Sequence, residues 1–196
     1  MKLDKNDKKS IELNKKNLAN ADLQGADLEG INLQFADLTG ANLKGANLLN
    51  VNFRYANLTG ACLVQAKLNK SILEGSNLNG ANLECAKLKD ANLKGAILEG
   101  TKLFGADFEC ANLENVNLMN SKALAAFFKN ANLRDASLAG AYLFGAYLQG
   151  ANLINADLTG ADLHCAILKG AILIGHDLEG LKQRGAIFVV ETYFIT

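Results

Sequence analysis

The sequence contains no proline, and its apolar runs are short. Proline has no backbone N–H, so its absence suits a chain whose amides are nearly all needed for hydrogen bonds between strands. No run approaches the roughly 18 apolar residues that a membrane-spanning helix requires, so we expect no membrane association. The first seven residues, MKLDKND, lack the apolar core of a secretory signal. A cytoplasmic location is therefore expected.

The chain also lacks net charge, because 20 Lys and Arg residues balance 20 Asp and Glu residues. A neutral surface attracts nucleic acid and anionic lipid only weakly, so we expect no direct nucleic-acid binding. The balance is uneven, since residues 1–20 hold six lysines against three acidic residues. These lysines form either a basic arm or a solvated terminus, and the second interpretation is the commoner one.

Residues that perform chemistry are few. The two histidines, His164 and His176, belong to no recognisable motif, and no P-loop, GxSxG or HExxH sequence occurs. We expect a non-enzymatic protein without metal or cofactor, in which His176 has a structural role near the end of the chain. The cysteines have no CxxC or other metal-binding spacing, and we expect four free thiols: Cys62, Cys85, Cys110 and Cys165.

What the sequence does contain is a repeat with a period of five residues. From Leu13 to Leu178 the chain divides into 34 pentads without insertion or deletion, and Leu occupies the central position, i, in 30 of them. Position i−2 is Ala in 24 pentads, position i−1 is Asn or Asp in 20, and position i+2 is Gly in 17. A period of five forms no apolar face on a helix and differs from the alternation of a simple strand.

The pattern is explained if each pentad is a short strand followed by a corner. Side chains at i−2 and i then point inward, those at i−1 and i+1 point outward, and position i+2 turns the chain. A corner with positive φ favours Gly first and Asn or Asp next, which is the composition found at i+2. Because stacked coils would bury the Leu side chains, the sequence predicts an all-β solenoid, a parallel β-helix.

Segments such as residues 21–25 (ADLQG) and 151–155 (ANLIN) resemble the A-(D/N)-L-x-x motif of the pentapeptide repeat family. The resemblance implies a right-handed, four-sided β-helix with 20 residues per coil, so that 34 pentads at four per coil would give about 8.5 coils. It implies no single function. Some members mimic duplex DNA and inhibit or protect type II topoisomerases, and others act in signalling or as adaptors.

A coil of four pentads stacks the outward positions of every fourth pentad, and this register collects apolar residues in the second half of the chain. One column lies at i+1, a second lies at i−1 of the following pentads, and Tyr142 lies beside the first. We name this set the aromatic strip: Phe104, Leu124, Phe127, Tyr142, Phe144, Tyr147 and Ile167. The strip is either ordinary cross-strand stacking or a partner-binding surface.

One pentad is irregular, because Ala123 stands where Leu is expected. An unfilled void of this kind costs about 2–5 kcal/mol. We expect the rings of Phe108 and Phe128, which lie one coil apart on the adjoining pentads, to fill the missing volume. The alternative is a local bulge that turns Leu124 inward.

The repeat divides the chain into a polar lead-in at residues 1–10, a β-helix at 11–180 and a C-terminal segment at 181–196 that leaves the pattern. The open end of a β-helix exposes apolar side chains and an unpaired strand edge. The C-terminal segment is expected to cover this end as a cap or to form a homodimer there. The residues expected to make these contacts are Phe188, Val190, Tyr193 and Phe194.

The leading functional hypothesis is a non-enzymatic protein-interaction scaffold whose protein partner is unknown. The alternative is a DNA-mimicking regulator of a type II topoisomerase or of another DNA-binding protein. Mimicry requires acidic side chains at the spacing of phosphates. The acidic residues of this chain are scattered and have lysines close by, at positions such as Lys67, Lys87 and Lys94.

Overall fold

The computed structural model describes residues 7–188. Its helices are α1 at Lys8–Leu13, a 3₁₀-helix at Lys15–Asn17 and α2 at Leu178–Gln183. From residue 21 to residue 175 the backbone repeats a single-residue β-bridge followed by a two-residue turn, with a period of five. Within the described residues, no helix is long and apolar enough to cross a membrane.

The β-bridges connect successive coils. All of them are parallel, and each joins residues 20 positions apart, from the pair Asp22 and Asn42 to the pair Ile167 and Ile187. Four pentads therefore separate one stacked position from the next. The parallel all-β repeat is confirmed, whereas the right-handed direction, the four-sided cross-section and the total of about 8.5 coils stay predictions.

Hydrogen bonds between coils use three of the five backbone amides of a regular pentad, those at i−1, i and i+2. The Leu23 amide donates to the Asn42 carbonyl oxygen (2.8 Å), and the Asn42 amide donates back to the Ala21 carbonyl oxygen (2.9 Å). The Ala26 amide closes the turn by donating to the Leu23 carbonyl oxygen (3.1 Å). Because a buried amide without an acceptor is costly, this bonding pattern explains why the chain has no proline.

Asn and Asp predominate at i−1 because their side chains accept a hydrogen bond from a backbone amide that has no acceptor in the neighbouring coils. The Oδ1 atom accepts from the backbone N–H of position i+1, as in Asp22 with Gln24 (3.2 Å) and Asn132 with Arg134 (3.3 Å). This local bond is an Asx turn. It completes the set of hydrogen bonds within the pentad.

The corner at i+2 has positive φ in all 32 pentads from Asn20 to Gly175, and only 16 of these corners are glycine. The predicted corner conformation is therefore confirmed, and it matches a type II turn, which needs positive φ at its third residue. Side chains with a Cβ are disfavoured there by about 1–2 kcal/mol. Eight corners have this unfavourable conformation at a residue that is neither Gly, Asn nor Asp: Phe35, Tyr55, Gln65, Lys70, Cys85, Cys110, Ala125 and Cys165.

The core remains regular at the irregular pentad. Phe108 and Phe128 are fully buried, and their rings stack with centroids 5.1 Å apart and planes inclined by 3°. Ala123 keeps its place in the ladder, because its amide donates to the Tyr142 carbonyl oxygen (2.9 Å). Leu124 faces outward with 38% of its surface exposed. The bulge alternative is therefore wrong, and the two Phe rings enlarge the core on the adjoining pentads.

The N-terminal end is closed by helix α1, whereas the sequence had predicted a polar lead-in followed directly by the first coil. Asp7 caps α1 by accepting a first-turn amide (3.1 Å), and Ile11 is fully buried. Leu13, the expected first core position, is 78% exposed because the helical period turns it away from the core. The Glu12 carboxylate accepts the Asn32 amide (2.6 Å), which a preceding coil would otherwise bind.

Helix α2 and the residues after it close the C-terminal end. Leu181 of α2 is buried against the core, and after the helix Ile187 rejoins the ladder by bridging Ile167. The predicted boundary at residue 180 thus falls inside a helix, because the repeat ends in a capping turn of helix. Phe188 is half-buried against the core, as a cap requires. The other expected contact residues, Val190, Tyr193 and Phe194, lie outside the described residues, and the homodimer stays a prediction.

Two side chains near α2 bind backbone carbonyls at the last coil. The Arg184 guanidinium donates through Nη2 to the carbonyl oxygens of Leu158 (2.7 Å) and Ala161. In a regular coil, the carbonyl of Ala161 would accept an amide from the following coil. The ring of His176 donates through Nε2 to the Leu153 carbonyl oxygen (2.8 Å), which agrees with its expected structural role. The cap therefore binds the open edge with side chains as well as covering the core.

The corner conformation predicts the effect of adding or removing a Cβ. Ala125→Gly should raise the free energy of unfolding by about 1 kcal/mol, because φ at this residue is +50°. Gly145→Ala changes the same corner one coil further, in open space, and should lower it by a similar amount. Equilibrium urea unfolding of both variants measures the difference. A Gly145→Ala protein as stable as the wild type would contradict this account of the corners.

The cap predicts that Arg184→Met weakens the C-terminal end. The variant keeps the apolar stem and loses the donors to two carbonyls, so the free energy of unfolding should fall by about 1–3 kcal/mol. Lys182→Met, on the exposed side of α2, which Arg184 follows directly, is the matched control and should change the free energy of unfolding by less than about 0.5 kcal/mol. Thermal unfolding followed by circular dichroism compares the two. Equal melting temperatures of the two variants would show that the hydrogen bonds from Arg184 to these carbonyl oxygens do not stabilise the protein.

Candidate interaction surface

The aromatic strip occupies two neighbouring stacks of pentads. Stack A contains the pentads centred on residues 103, 123, 143 and 163, and stack B contains those centred on 108, 128, 148 and 168. Phe104, Leu124 and Phe144 follow one another at i+1 of stack A. The amides after Phe104 and Leu124 donate to the carbonyl oxygen of the next member of this column (3.2 and 2.9 Å). The backbone ladder thus holds the column in register.

The second column of the strip lies at i−1 of stack B. Phe127, Tyr147 and Ile167 are bridged in series, and the rings of Phe127 and Tyr147 stack with centroids 4.8 Å apart and planes inclined by 5°. Ile187 extends this column by one more bridge and is 42% exposed. Sequence reasoning missed Ile187 because it treated the last residues as outside the repeat. A further step of one coil from Ile167 would have found it.

Most of the strip is accessible to a partner. Tyr147 and Ile167 are half-buried. The exposed fractions of the other members are large for apolar side chains: 54% for Phe104, 52% for Tyr142, 49% for Phe144, 41% for Phe127 and 38% for Leu124. Contiguous apolar surface of this kind marks interaction sites in many soluble proteins.

The strip also omits hydrogen bonds that the fold makes elsewhere. Position i−1 of stack A holds neither Asn nor Asp beside the strip, and it is Tyr142 in the pentad of Phe144. Among the described residues, no side chain accepts from the amides of Phe104, Leu124 or Phe144. Ring stacking returns only about 0.2–1 kcal/mol for each pair. Other pentads, such as that of Ser137, also lack the Asx bond, so it is the combination of this absence with contiguous exposed apolar side chains that favours the binding interpretation over simple stacking.

Lysine side chains border the strip on its N-terminal side. Lys102 is bridged directly to Lys122, and Lys67 to Lys87, and like charges in opposed positions are unfavourable. We name the group at this border the lysine band: Lys67, Lys87, Lys102, Lys122 and Lys129. Sequence reasoning missed its relation to the strip, although steps of one coil back from Tyr142 reach Lys122 and Lys102.

Few lysines of the lysine band form ion pairs. Within the described part of the chain, only Lys87 of the band has a carboxylate within 4.0 Å, with its Nζ atom 3.9 Å from Asp107. Lys89 lies beside the band and is paired with Glu109 at 3.1 Å. The hydrogen bond from Lys89 to Glu109, reinforced by their opposite charges, raises the pKa of Lys89. The band therefore keeps unneutralised positive charge beside an apolar surface.

The two other stacks of pentads pair their own polar groups. Stack C contains the pentads centred on residues 53, 73, 93, 113 and onward, and stack D follows it in the chain at 58, 78, 98 and 118. In stack C, Arg54 binds Glu74 (Nε to Oε2, 3.1 Å), and Lys94 binds Glu114 (3.1 Å). A ladder of amide hydrogen bonds of 3.2–3.3 Å joins the side chains of Asn92, Asn112, Asn132 and Asn152.

At the C-terminal end of the strip, one acidic residue is hydrogen-bonded to a neighbouring histidine. Asp162 accepts the His164 backbone amide (3.0 Å) and binds the His164 ring through Nδ1 (2.8 Å). The bond from this amide, followed by the bond from the ring, lowers the pKa of Asp162. The ring of His164 also lies against Gly185, where an added Cβ would approach it to 2.9 Å. Asp162 and His164 therefore help to connect the strip to the cap.

A second aromatic pair lies far from the strip, at the N-terminal end. The rings of Phe35 and Tyr55 stack with centroids 5.5 Å apart and planes inclined by 15°. The Lys16 ammonium lies 5.6 Å from the centroid of the Phe35 ring. Both aromatic side chains are half exposed. The pair provides a control surface for experiments on the strip.

Sites for chemistry are not apparent in the described residues. No group of three or more His, Cys, Asp or Glu side chains in residues 7–188 could hold a metal ion. The four cysteines are free thiols, as expected. A cleft of about 420 Å³ beside α2 is lined by Asp157, Thr159, His176 and Arg184 among others. Because His176 and Arg184 already bind carbonyls, this cleft is part of the cap.

Comparison with known proteins relates the chain to one family and to several solved structures. The family model for pentapeptide repeats matches it in overlapping segments that run from residue 12 to residue 180. HetL, a pentapeptide repeat protein involved in the regulation of heterocyst differentiation in the cyanobacterium Nostoc, is 34% identical over 81% of this chain and 87% of its own, with a TM-score of 0.46. No curated protein gives a significant match.

Two further structures are similar. A pentapeptide repeat protein from the thylakoid lumen of Arabidopsis thaliana is 33% identical over 54% of this chain and 70% of its own, with a TM-score of 0.46. A trypsin-treated variant of QnrB1, a plasmid-mediated fluoroquinolone resistance protein, is 20% identical over 78% of this chain and 77% of its own, with a TM-score of 0.57. The QnrB1 likeness concerns the fold alone.

The sequence motif, the parallel bridges between successive coils and the family match describe the same repeat. The matched segments include nearly all of the described residues. The chain belongs to the pentapeptide repeat family.

Proposed function

We propose that the protein is a non-enzymatic protein-interaction scaffold that binds its partner through the aromatic strip. The observation on which this proposal rests is the exposure of the strip together with its loss of Asx hydrogen bonds. An apolar surface that is exposed over several successive coils is best explained by a partner.

The backbone ladder makes this surface well suited to binding. Successive members of each column are held by inter-coil hydrogen bonds of 2.7–3.2 Å, so the apolar groups are ordered before a partner arrives. Binding to a preorganised surface loses little conformational entropy. The four-sided, right-handed rod of about 8.5 coils is part of this proposal. The cytoplasmic location stays a prediction from the sequence, since one of the similar structures comes from the thylakoid lumen.

The alternative, mimicry of duplex DNA, has less support from the surface. Glu74, Glu109 and Glu114 are paired with basic side chains, and a phosphate-like stripe needs acids that remain free. The likeness to QnrB1, at 20% identity, bears only on the fold. We therefore propose that the protein does not act on topoisomerases as a DNA mimic.

A supercoiling assay with DNA gyrase checks this expectation. Micromolar protein should leave the rate of supercoiling unchanged, because the surface has no continuous negative field to compete with DNA. A known DNA-mimicking protein of the same family provides the positive control. Inhibition by the wild type that survives loss of the aromatic strip would restore the mimicry hypothesis.

The interaction proposal is tested with a variant that carries Phe104→Ser, Phe144→Ser and Tyr147→Ser. Partner capture from host lysate should fall to background, because the exposed rings supply the apolar contact. The free energy of unfolding should change by only about 0.2–1 kcal/mol for each lost stacking contact. Sedimentation velocity of the same preparations also reports whether the expected homodimer forms.

The matched control is the Phe35→Ser, Tyr55→Ser variant, which removes exposed rings from the distant pair. It should capture the same partner as the wild type. Equal capture by all three proteins would show that the strip is only cross-strand stacking.

A further inference from the structure

We propose that the partner of the aromatic strip is an acidic protein segment whose carboxylates bind the lysine band while its apolar side chains cover the strip. The inference rests on the proposed function, since it assigns the chemistry of the partner at the same surface. It is argued from the arrangement of charge around the strip.

The two bridged lysine pairs are the first observation. The bridges Lys102 with Lys122 and Lys67 with Lys87 bring like charges to adjacent coils, which lie about 4.8 Å apart. The fold readily places an acid one coil after a lysine, as Lys94 with Glu114 shows at 3.1 Å. Opposed lysines therefore lower the stability of the protein where an ion pair was available. An anionic partner would remove this repulsion and gain attraction from both members of a pair.

The distribution of charge across the coil is the second observation. Continued back in steps of 20 residues, stack A includes the pentads centred on 63 and 83, and stack B those centred on 68 and 88. Between residues 61 and 130, the pentads of these two stacks hold seven lysines and four acidic residues. The intervening pentads of stacks C and D hold one lysine and three acidic residues. The positive side is thus the side that presents the aromatic strip, although the whole chain is neutral. Such a field attracts an acidic segment to this side and orients it there.

The third observation is a groove that is lined by residues of both the lysine band and the aromatic strip. It has a volume of about 310 Å³ and is lined by Lys87, Asp107, Glu109, Phe127 and Lys129. Phe127 is a member of the strip, and Lys129 has no ion-pair partner among the described residues. A carboxylate bound to Lys129 would therefore place the adjoining residue of its chain over Phe127. The groove favours a segment in which acidic and apolar residues alternate or adjoin.

A protein segment fits this surface better than a nucleic acid or an anionic membrane. Glu84, Asp90, Asp107 and Glu109 are interspersed among the lysines and would repel a continuous phosphate backbone. The distance from Lys67 to Ile167 is five coils, or about 24 Å at 4.8 Å per coil. An extended peptide of eight to twelve residues spans about that length or more. Its side chains could meet the band and the strip together.

The test is selection of a random dodecapeptide display library on the full-length wild-type protein. The selected peptides should be enriched in Asp and Glu together with aromatic or aliphatic residues. The Lys102→Gln, Lys122→Gln variant should lose the acidic enrichment and keep the apolar enrichment. It should bind the peptides selected on the wild type about tenfold more weakly, the effect of a few exposed charge pairs. Lys15→Gln, Lys44→Gln removes the same charge elsewhere and should behave as the wild type.

The outcomes separate this inference from the proposed function. Wild-type selection of apolar peptides that are neutral or basic would overturn the acidic partner and leave the interaction scaffold standing. Enrichment no greater than that on a Phe104→Ser, Phe144→Ser variant would overturn both. Preferential binding of duplex DNA or of phosphatidylserine vesicles, dependent on Lys102 and Lys122, would also overturn the acidic protein segment.

The Lys122→Glu variant distinguishes a loss of affinity from a loss of folded protein. It replaces a bridged lysine pair by a lysine bridged to an acidic residue, the arrangement found at Lys87 and Asp107, so its melting temperature in low salt should rise. Its affinity for the selected acidic peptides should nevertheless fall by at least about tenfold, because one attraction becomes a repulsion. A Lys122→Glu protein that binds these peptides as well as the wild type would contradict the inference.

Discussion

The positive-φ corner that ends each regular pentad is the constraint on which the rest of the structure depends. It occurs at all 32 corners from Asn20 to Gly175, including positions such as Tyr55 and Ala125 where the side chain opposes it. By turning the chain after each short strand, the corner brings Leu to the inside again and sets the next amides opposite the neighbouring coil. A single inserted residue would break this register, which explains why 34 pentads follow one another without interruption.

The same constraint leaves few positions free to serve function. Leu at i and Ala at i−2 fill the core, and Asn or Asp at i−1 bind the amide of i+1. A departure from this pattern on the outside is therefore informative. The aromatic strip lacks these Asx bonds, and the lysine band opposes like charges across bridges, so both features weaken the fold in the same neighbourhood. An acidic and apolar partner accounts for the two departures together.

Particular residues show how far the sequence could be interpreted. The period of five predicted the inward Leu positions and the corners, because both depend on spacing alone, whereas the stacking of Phe127 on Tyr147 was predicted from the 20-residue coil that the family resemblance implies. Helix α1 was not predicted, and Leu13 was placed in the core although it is exposed. The repeat pattern continues through residues 11–13, and only the absence of a preceding coil makes a helix the better way to close the end. The interruption of the last pentads by α2 has the same cause.

By itself, the sequence determined the repeat, the direction in which each side chain of a pentad points and the apolar nature of the strip. These properties follow from local rules: a period, a corner conformation and the alternation of a strand. Only the tertiary structure decided that Glu12 binds the Asn32 amide and that Arg184 binds the carbonyls of the last coil. Such contacts join residues that lie a full coil or more apart in the sequence, and they depend on where a coil ends and which backbone groups it leaves unbonded.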